Sequence, residues 1–511
     1  MKPIRDFFIN NRLSSLFTLR SLLNIEFLIL FLENVFIILK KHRILWKKGF
    51  TDWCLHFFVL KHNRKKHRIL WKMRFAMIER NHYLSKLIST KNNGFPKIIT
   101  GIRRCGKSYL LKEIFKKHLI ETGVSENQII IIDLDELKNA KYRNPIELDK
   151  YIREHCNKDI MNYVFIDELQ LVSSIINPIY TEGKYVIAKK EDKDIITFVD
   201  VILGLSREKY IDIYATGSNS KMLSSDIITE FRDKATNITL SPLSFEEFCN
   251  YKKSSSSDTV FEYMRYGGMP LAVLKKGEEK KEYLKNLFET TYFKDILEHN
   301  NLRKSEALDS LCNIISEETG QLFNSTKIAN IYKNTTRSKI DKDTVEQYIN
   351  YFIDSFIIKE VRRFDVKGNN EIGALRKYYF VDNGLRNARL NFAYEDEGQM
   401  IENMIYNELI FNGYTVNVGS FEKYEKDKNG KSIRKCYEID FIAKKGSKKY
   451  YIQVSNDISS LETKTREIRP FIALNDSFQK IIVINRPLEE TLDNNGFVII
   501  GIADFLLRFI K

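Results

Sequence analysis

Gly101-Ile102-Arg103-Arg104-Cys105-Gly106-Lys107-Ser108 fits G-x-x-x-x-G-K-[ST], the pattern of a loop that wraps the phosphates of a nucleotide. Lys97-Ile98-Ile99-Thr100 before it reads as a short buried strand. Tyr109 to Phe115 after it carries apolar residues at helical spacing. Anion binding needs this order of strand, glycine-bounded loop and helix start. The glycines let the backbone curl, the loop N–H groups turn inward, and the helix dipole adds partial positive charge. The cofactor-contacting set is then Gly101, Arg103, Arg104, Cys105, Gly106, Lys107, Ser108 and Tyr109. Within it Lys107 reaches the β- and γ-phosphates and the Ser108 hydroxyl ligates Mg²⁺. A chance match in a Gly/Lys/Ser turn is the competing reading, and the flanks argue against it.

Tyr163-Val164-Phe165-Ile166 is a second apolar run, and it ends in Asp167-Glu168. Fully buried parallel strands read as such runs, and ligands bind at their carboxyl ends. Asp167 is therefore expected to hold Mg²⁺, and Glu168 to polarise the attacking water. A surface Asp-Glu pair capping a helix is the bland alternative. Ile211 to Ala215 is a third strand candidate, followed by Thr216-Gly217-Ser218-Asn219-Ser220, from which Ser218 or Asn219 would meet the γ-phosphate or the water. A plain polar turn is an equal competitor there.

The words GIRRCGKS, FIDELQ, ATGSNSKMLSS and PLSFEEF, followed by YGGMP, KYYFVDNGLR, GQMIEN, EIDFIA and YIQVS, occur in this order between Met77 and Lys511. In these the chain resembles the prokaryotic ATPases of the AAA+ superfamily that carry a conserved C-terminal domain of unknown function. The resemblance implies ATP as the nucleotide, with Mg²⁺, and a hydrolase built on a P-loop parallel sheet with a helical lid. It also implies an arginine shortly before the Pro242–Phe245 word. Here Lys234 holds that position, and Arg232 lies two residues earlier. A lysine lacks the planar fork of arginine, so turnover is in question where binding is not. Superfamily members often assemble so that a neighbour supplies the arginine, which would make a homo-oligomer a partner, but the Arg232/Lys234 departure weakens that implication and the oligomeric state stays open.

A chain of 511 residues is expected to hold two to four domains. Its hydrophobic content of 43% with 29% charged residues suits folded cores. The six cysteines are scattered with no C-x-x-C pair, which argues for free thiols in a reducing cytoplasm and against a zinc site or a disulfide framework. The net charge of +15 is uneven: residues 1–76 carry 16 Lys/Arg against 4 Asp/Glu, while the rest carries 66 against 63. Bulk charge in the folded part thus gives little support to phosphate-backbone binding. In residues 1–76 the word KKHRILWK occurs twice, from Lys40 and from Lys65, around apolar runs such as Phe27–Leu39. This arm reads as membrane-associating if it is expressed. It is a poor spanning helix, because the run falls short of about 20 residues and contains Glu33. The slightly favoured reading is that translation starts at Met77.

The expected organisation is an α/β chain: the arm at 1–76, a P-loop core at 77–245, a helical lid at 246–320, a winged helix at 321–395 and an α/β restriction-endonuclease-like domain at 396–511. For the winged helix, Asn324–Ile331 and Asp341–Phe356 read as helices, and Ile357–Val361 and Lys377–Val381 as strands around Gly368. Arg337, Lys339 and Lys342 would touch DNA phosphates, with protein docking equally open. In the last domain a nuclease needs two acidic metal ligands and a lysine. Asp440 is present, but Gln453 and Ser455 stand where the second acid and the lysine belong, so an inactive fold kept for binding is expected. Glu402, expected on a helix, and Glu438, expected with Asp440 to end a β-run, complete the acids worth testing, and acids that merely cap strand ends are the favoured, blander reading. The catalytic set expected overall is Lys107, Glu168, Asn219, Arg232 and Lys234. Three readings follow: an ATPase acting on DNA or an unknown protein partner, a nucleotide-gated scaffold with little turnover, and, least favoured, a metal-dependent nuclease.

Overall fold

A computed structural model describes residues 78–189, 191–217, 231, 234–300, 302, 306–393, 396–426, 431–474 and 476–511. The expectations for residues 1–76, Ser218, Asn219 and Arg232 lie outside the described residues. Among the described residues no helix is long and apolar enough to cross a membrane.

Short apolar runs make the first sheet. Its strands are β1 (Lys97–Thr100), β2 (Ile129–Asp133), β3 (Asn162–Asp167), β6 (Ile211–Thr216) and β7 (Thr236–Thr239); a two-residue pair, β4 (Ile175–Ile176) and β5 (Ile195–Ile196), stands apart from them. The order is β2-β3-β6-β1-β7, and every neighbouring pair is parallel. β1, β3 and β6 are buried at each position, as expected of strands covered on both faces. Because β6 lies between β1 and β3, the loop leaving β1 and the carboxylate ending β3 flank the tip of β6. The α/β class with a parallel central sheet is the one expected from sequence; β2 and β7 are strands not anticipated above.

The helices expected after Glu246 are present. Phe245–Lys252 opens with a capping box between Ser244 and Glu247, and Ser257–Tyr266 is capped by Ser256. A longer helical run follows through Gly277–Leu287, Phe288–Phe293 and Lys294–His299, and then Glu306–Glu317. Asn324 and Asp341 cap the next two helices, Ser325–Thr336 and Lys342–Asp354.

The second sheet is mixed and has eight strands: β8 (Ile358–Asp365), β9 (Asn370–Phe380), β10 (Thr415–Lys426), β11 (Ser432–Lys445), β12 (Lys448–Ser455), β13 (Gln479–Ile484), β14 (Thr491–Leu492) and β15 (Val498–Gly501), in the order β14-β15-β13-β12-β11-β10-β8-β9. The β8–β9 hairpin around Gly368 is therefore not a free-standing wing. β8 pairs in parallel with β10 through Val418↔Arg363, Gly419↔Phe364 and Ser420↔Asp365, so the hairpin is one edge of this sheet. Glu438 and Asp440 lie inside β11 and do not end it, because the buried run Phe441-Ile442-Ala443 carries the strand onward. One apolar core joins residues from Tyr83 to Phe392, and a second joins Ile78, Phe245 and Phe248 to Ile401, Phe441 and Ile510. Both cross the boundaries drawn from sequence at 245 and 320, and the second also crosses the one at 395.

Candidate nucleotide site

The loop from Gly101 to Ser108 leaves β1 with backbone that only certain residues tolerate. Gly101 has φ +136°, and a Cβ there would stand 2.2 Å from the Leu240 carbonyl oxygen beside β7. Gly106, at φ +101°, turns the chain directly into the helix that starts at Lys107. That helix runs on through Leu110–Phe115, wound as π-helix, into Lys116–Glu121. Cys105 is buried, with its thiol 3.5 Å from the Leu240 carbonyl, so its contact is to protein backbone.

Lys107 is only 5% exposed. Its Nζ donates to the carbonyls of Gly101 at 2.8 Å and Ile102 at 3.0 Å, inside its own loop. A buried ammonium that donates to neutral carbonyls, with no carboxylate paired to it among the described residues, is poorly compensated, and an anion in the cradle would supply the missing charge. Ser108 Oγ donates to Asp167 Oδ1 at 3.0 Å. The phosphate loop and the end of β3 thus meet directly.

Asp167 is the hub. Thr216, at the tip of β6, donates its hydroxyl to the same Oδ1. Lys112 Nζ pairs with Asp167 Oδ2 and also with Asp133, the last residue of β2. Register explains the bridge: Asp133 lies opposite Asp167 across β2 and β3, and Lys112 is four residues after Ser108, on the same helix face. Burial alone would lower the Lys112 pKa, but the two carboxylates outweigh it and raise it. Burial pushes the Asp133 carboxyl above its ordinary value, with Lys112 opposing.

Glu168 follows in the left-handed region at φ +57°, ψ 49°, an uncommon conformation for a non-glycine residue. Its N–H donates to Thr216 Oγ1 at 3.3 Å, and Gln170 donates to its carboxylate. Tyr109 lies half-buried, and burial together with Glu113 pushes its pKa to about 12. The Arg103 guanidinium pairs with Asp295 at 2.6 Å, and the Tyr292 hydroxyl donates to the Arg103 carbonyl at 2.8 Å. Arg104 is an exposed residue at φ +62°. Lys234 is exposed just before β7.

The structure therefore brings together Gly101, Cys105, Gly106, Lys107, Ser108, Asp167 and Glu168. Thr216, Lys112 and Asp133 complete the group without having been singled out from sequence. Asp133 carried a readable signal, since it closes Ile129–Ile132 as Asp167 closes its own apolar run. Mg²⁺ is bound through one or two carboxylates, waters and phosphate oxygens, and the Ser108 and Asp167 oxygens fit that requirement. Among the described residues no group of three or more His, Cys, Asp or Glu side chains is placed to hold a metal ion by itself.

The C-terminal acids form a different kind of cluster. Lys377 on β9 is buried and pairs with Glu402 and Glu438, each at 2.9 Å, and Tyr379 donates to Glu402 at 2.5 Å. Burial, together with Glu402, raises the Asp440 pKa well above the ordinary range, against the pull of Lys377. Asp440 accepts the N–H of Val454 at 2.8 Å. A protein ammonium thus sits among these carboxylates.

Residues 93–249 match the family model described as an AAA domain, and residues 257–396 match a domain of unknown function, DUF8612. An uncharacterized protein of Haemophilus influenzae is 27% identical over 442 residues, covering 85% of this chain and 100% of its own length. Another, from Methanocaldococcus jannaschii, is 28% identical over 392 residues, covering 73% and 77%. Among solved structures, the Aeropyrum pernix ORC1 protein in complex with DNA aligns over 61% of this chain and 92% of its own, at 10% identity and a TM-score of 0.28. The Aeropyrum pernix ORC2 protein aligns over 64% and 93%, at 9% identity and a TM-score of 0.32. Residues 93–249 are thus similar to an AAA domain, and the match to DUF8612 follows it in the same chain.

Proposed function

We propose that the chain binds ATP with Mg²⁺ in the Gly101–Ser108 loop and hydrolyses it, and that the nucleotide state governs how the C-terminal part engages DNA or a protein partner. The observation that carries the reading is the direct bond between Ser108 Oγ and Asp167 Oδ1, which joins the loop to the end of β3. Lys107 would exchange the carbonyls of Gly101 and Ile102 for phosphate oxygens. Ser108 and Asp167 would hold the cation, whose chemistry is to neutralise charge on the transferred phosphoryl group. Glu168 would orient water and take its proton. Arg103 supports the coupling, since it ties the loop to Tyr292 and Asp295 within the DUF8612 match.

Phosphate release and nucleotide binding by wild type, Lys107→Ala and Glu168→Gln test this. Lys107→Ala is expected to lose binding, and Glu168→Gln to bind normally while turnover falls about 100-fold or more. If wild type binds ATP yet releases phosphate no faster than Lys107→Ala, the hydrolase reading fails. What would remain is a nucleotide-gated scaffold, the reading that the exposed Lys234 in the arginine position favours. A nuclease reading has less chemical support: Gln453 and Ser455 are poor substitutes for an acid and a lysine, and Lys377 supplies the cation among Glu402, Glu438 and Asp440.

A further inference from the structure

We propose that Lys112 is a built-in cation guard of Asp167, which holds the carboxylate until magnesium and nucleotide arrive together and then withdraws onto Asp133. The inference rests on the nucleotide reading above and concerns regulation of that same site. Its ground is occupancy. Asp167 offers two oxygens; Oδ1 accepts from Ser108 and Thr216, and Oδ2 is paired with Lys112. Ser108, the other expected ligand, has its hydroxyl turned to the same carboxylate. Both protein groups that would face a divalent cation are therefore engaged, one of them by a positive charge.

Like charges at such short range oppose each other, so Lys112 cannot keep its place while a divalent cation shares Asp167. A second perch already exists. Asp133 is paired with the same ammonium and lies opposite Asp167 in register. Partial exposure of the Lys112 and Asp133 side chains, at 22% and 23%, leaves room for a shift of the flexible stem. Without nucleotide, Lys112 also offsets the repulsion between two neighbouring carboxylates. With it, Lys112 on Asp133 would stay close enough to keep that acid neutralised.

Binding of a fluorescent ribose-labelled ATP, titrated with Mg²⁺ on the full chain, reads the guard directly. Lys112→Met is expected to lower the Mg²⁺ midpoint roughly five- to tenfold, because a competitor and a like charge are both gone. Asp133→Asn is expected to raise it, since the ammonium then rests on Asp167 alone; this variant decides the matter if Lys112→Met fails to fold. A direct phosphate ligand would behave differently. Its loss would weaken labelled ATP equally in EDTA and at saturating Mg²⁺ and leave the midpoint unmoved, and that result would overturn the proposal while leaving the nucleotide reading intact. Wild type that takes up no labelled ATP at any Mg²⁺ concentration would overturn both.

Discussion

Glu408 shows how far a single buried acid departs from its behaviour in water. It lies in the helix Glu397–Phe411, accepts the Phe245 N–H at 2.7 Å and the Tyr263 hydroxyl at 3.1 Å, and so joins the C-terminal part to the capped start of helix Phe245–Lys252. Burial raises its pKa to about 7, with Glu247 and Glu246 adding repulsion. Asp382, bonded to the N–H groups of Gly268 and Leu385, is raised to about 6 for the same primary reason. A raised acid holds its proton in the folded state after the unfolded chain has released it. Stability therefore falls as pH climbs from about 4.5 to about 7 for Glu408, and stays level above. Glu408→Gln keeps an acceptor and removes the ionisation, so its urea midpoint is expected to vary less than wild type between pH 5 and about 7.5. An unchanged pH slope would show that Glu408 does not carry the effect. At the same scale, the phosphate cradle was readable from Gly101, Gly106, Lys107 and Ser108 because its chemistry is local. Lys112 was not, because the closeness of Asp133 depends on β2 pairing with β3, a contact between residues far apart in sequence.

Elements formed where pattern and caps agreed. Asn324, Asp341 and Ser244 cap helices because short polar side chains accept otherwise unpaired N–H groups. The mixed sheet was harder to read. Consecutive strands pair directly in β8–β9 and in β10–β11–β12, but the helix Leu461–Leu474 intervenes between β12 and β13, and β8 reaches β10 across β9 and the whole of Glu397–Phe411, so the order of the full sheet follows from burial and not from local propensity. That helix is buried at Met400, Ile401, Met404, Ile405 and Leu409, and the Asn403 amide donates to the Phe380 carbonyl at 2.9 Å. Ile405 is fully buried in the core that also holds Phe248 and Phe441. Ile405→Ala is expected to cost about 3 kcal/mol in denaturant unfolding, the middle of the range for such a cavity. A loss under about 1 kcal/mol would mean the site collapses around the smaller side chain. The mid-strand position of Glu438 and Asp440 has a related cause: a carboxylate alone reads as a strand end, and a lysine partner such as Lys377 is invisible until the sheet assembles.

Across residues 78–511 two apolar cores span segment boundaries expected from sequence. Ile99, Phe288, Phe352 and Leu385 share one cluster, and Leu243, Val361 and Val498 share the other. Buried links reinforce them: Arg386, fully buried, donates to the Ser316 carbonyl at 2.9 Å, and Arg80 donates to Ser241 O at 2.6 Å. Cooperative units follow shared burial. Heating should therefore unfold this part in one transition, coincident in calorimetry and far-UV circular dichroism. Tryptophan emission would not report on it, since Trp46, Trp53 and Trp71 all precede residue 78. Two well-separated steps would contradict the shared core.

The parallel seam between β8 and β10 bears on how the protein can be dissected. A fragment begun at residue 396 would keep β10 but lose the hairpin that covers its outer edge, from Val418 to Ser420. Uncapped strand edges template pairing with other chains. Such a piece would be prone to self-association through that rim, so a safer excision would retain everything from Ile358 onward.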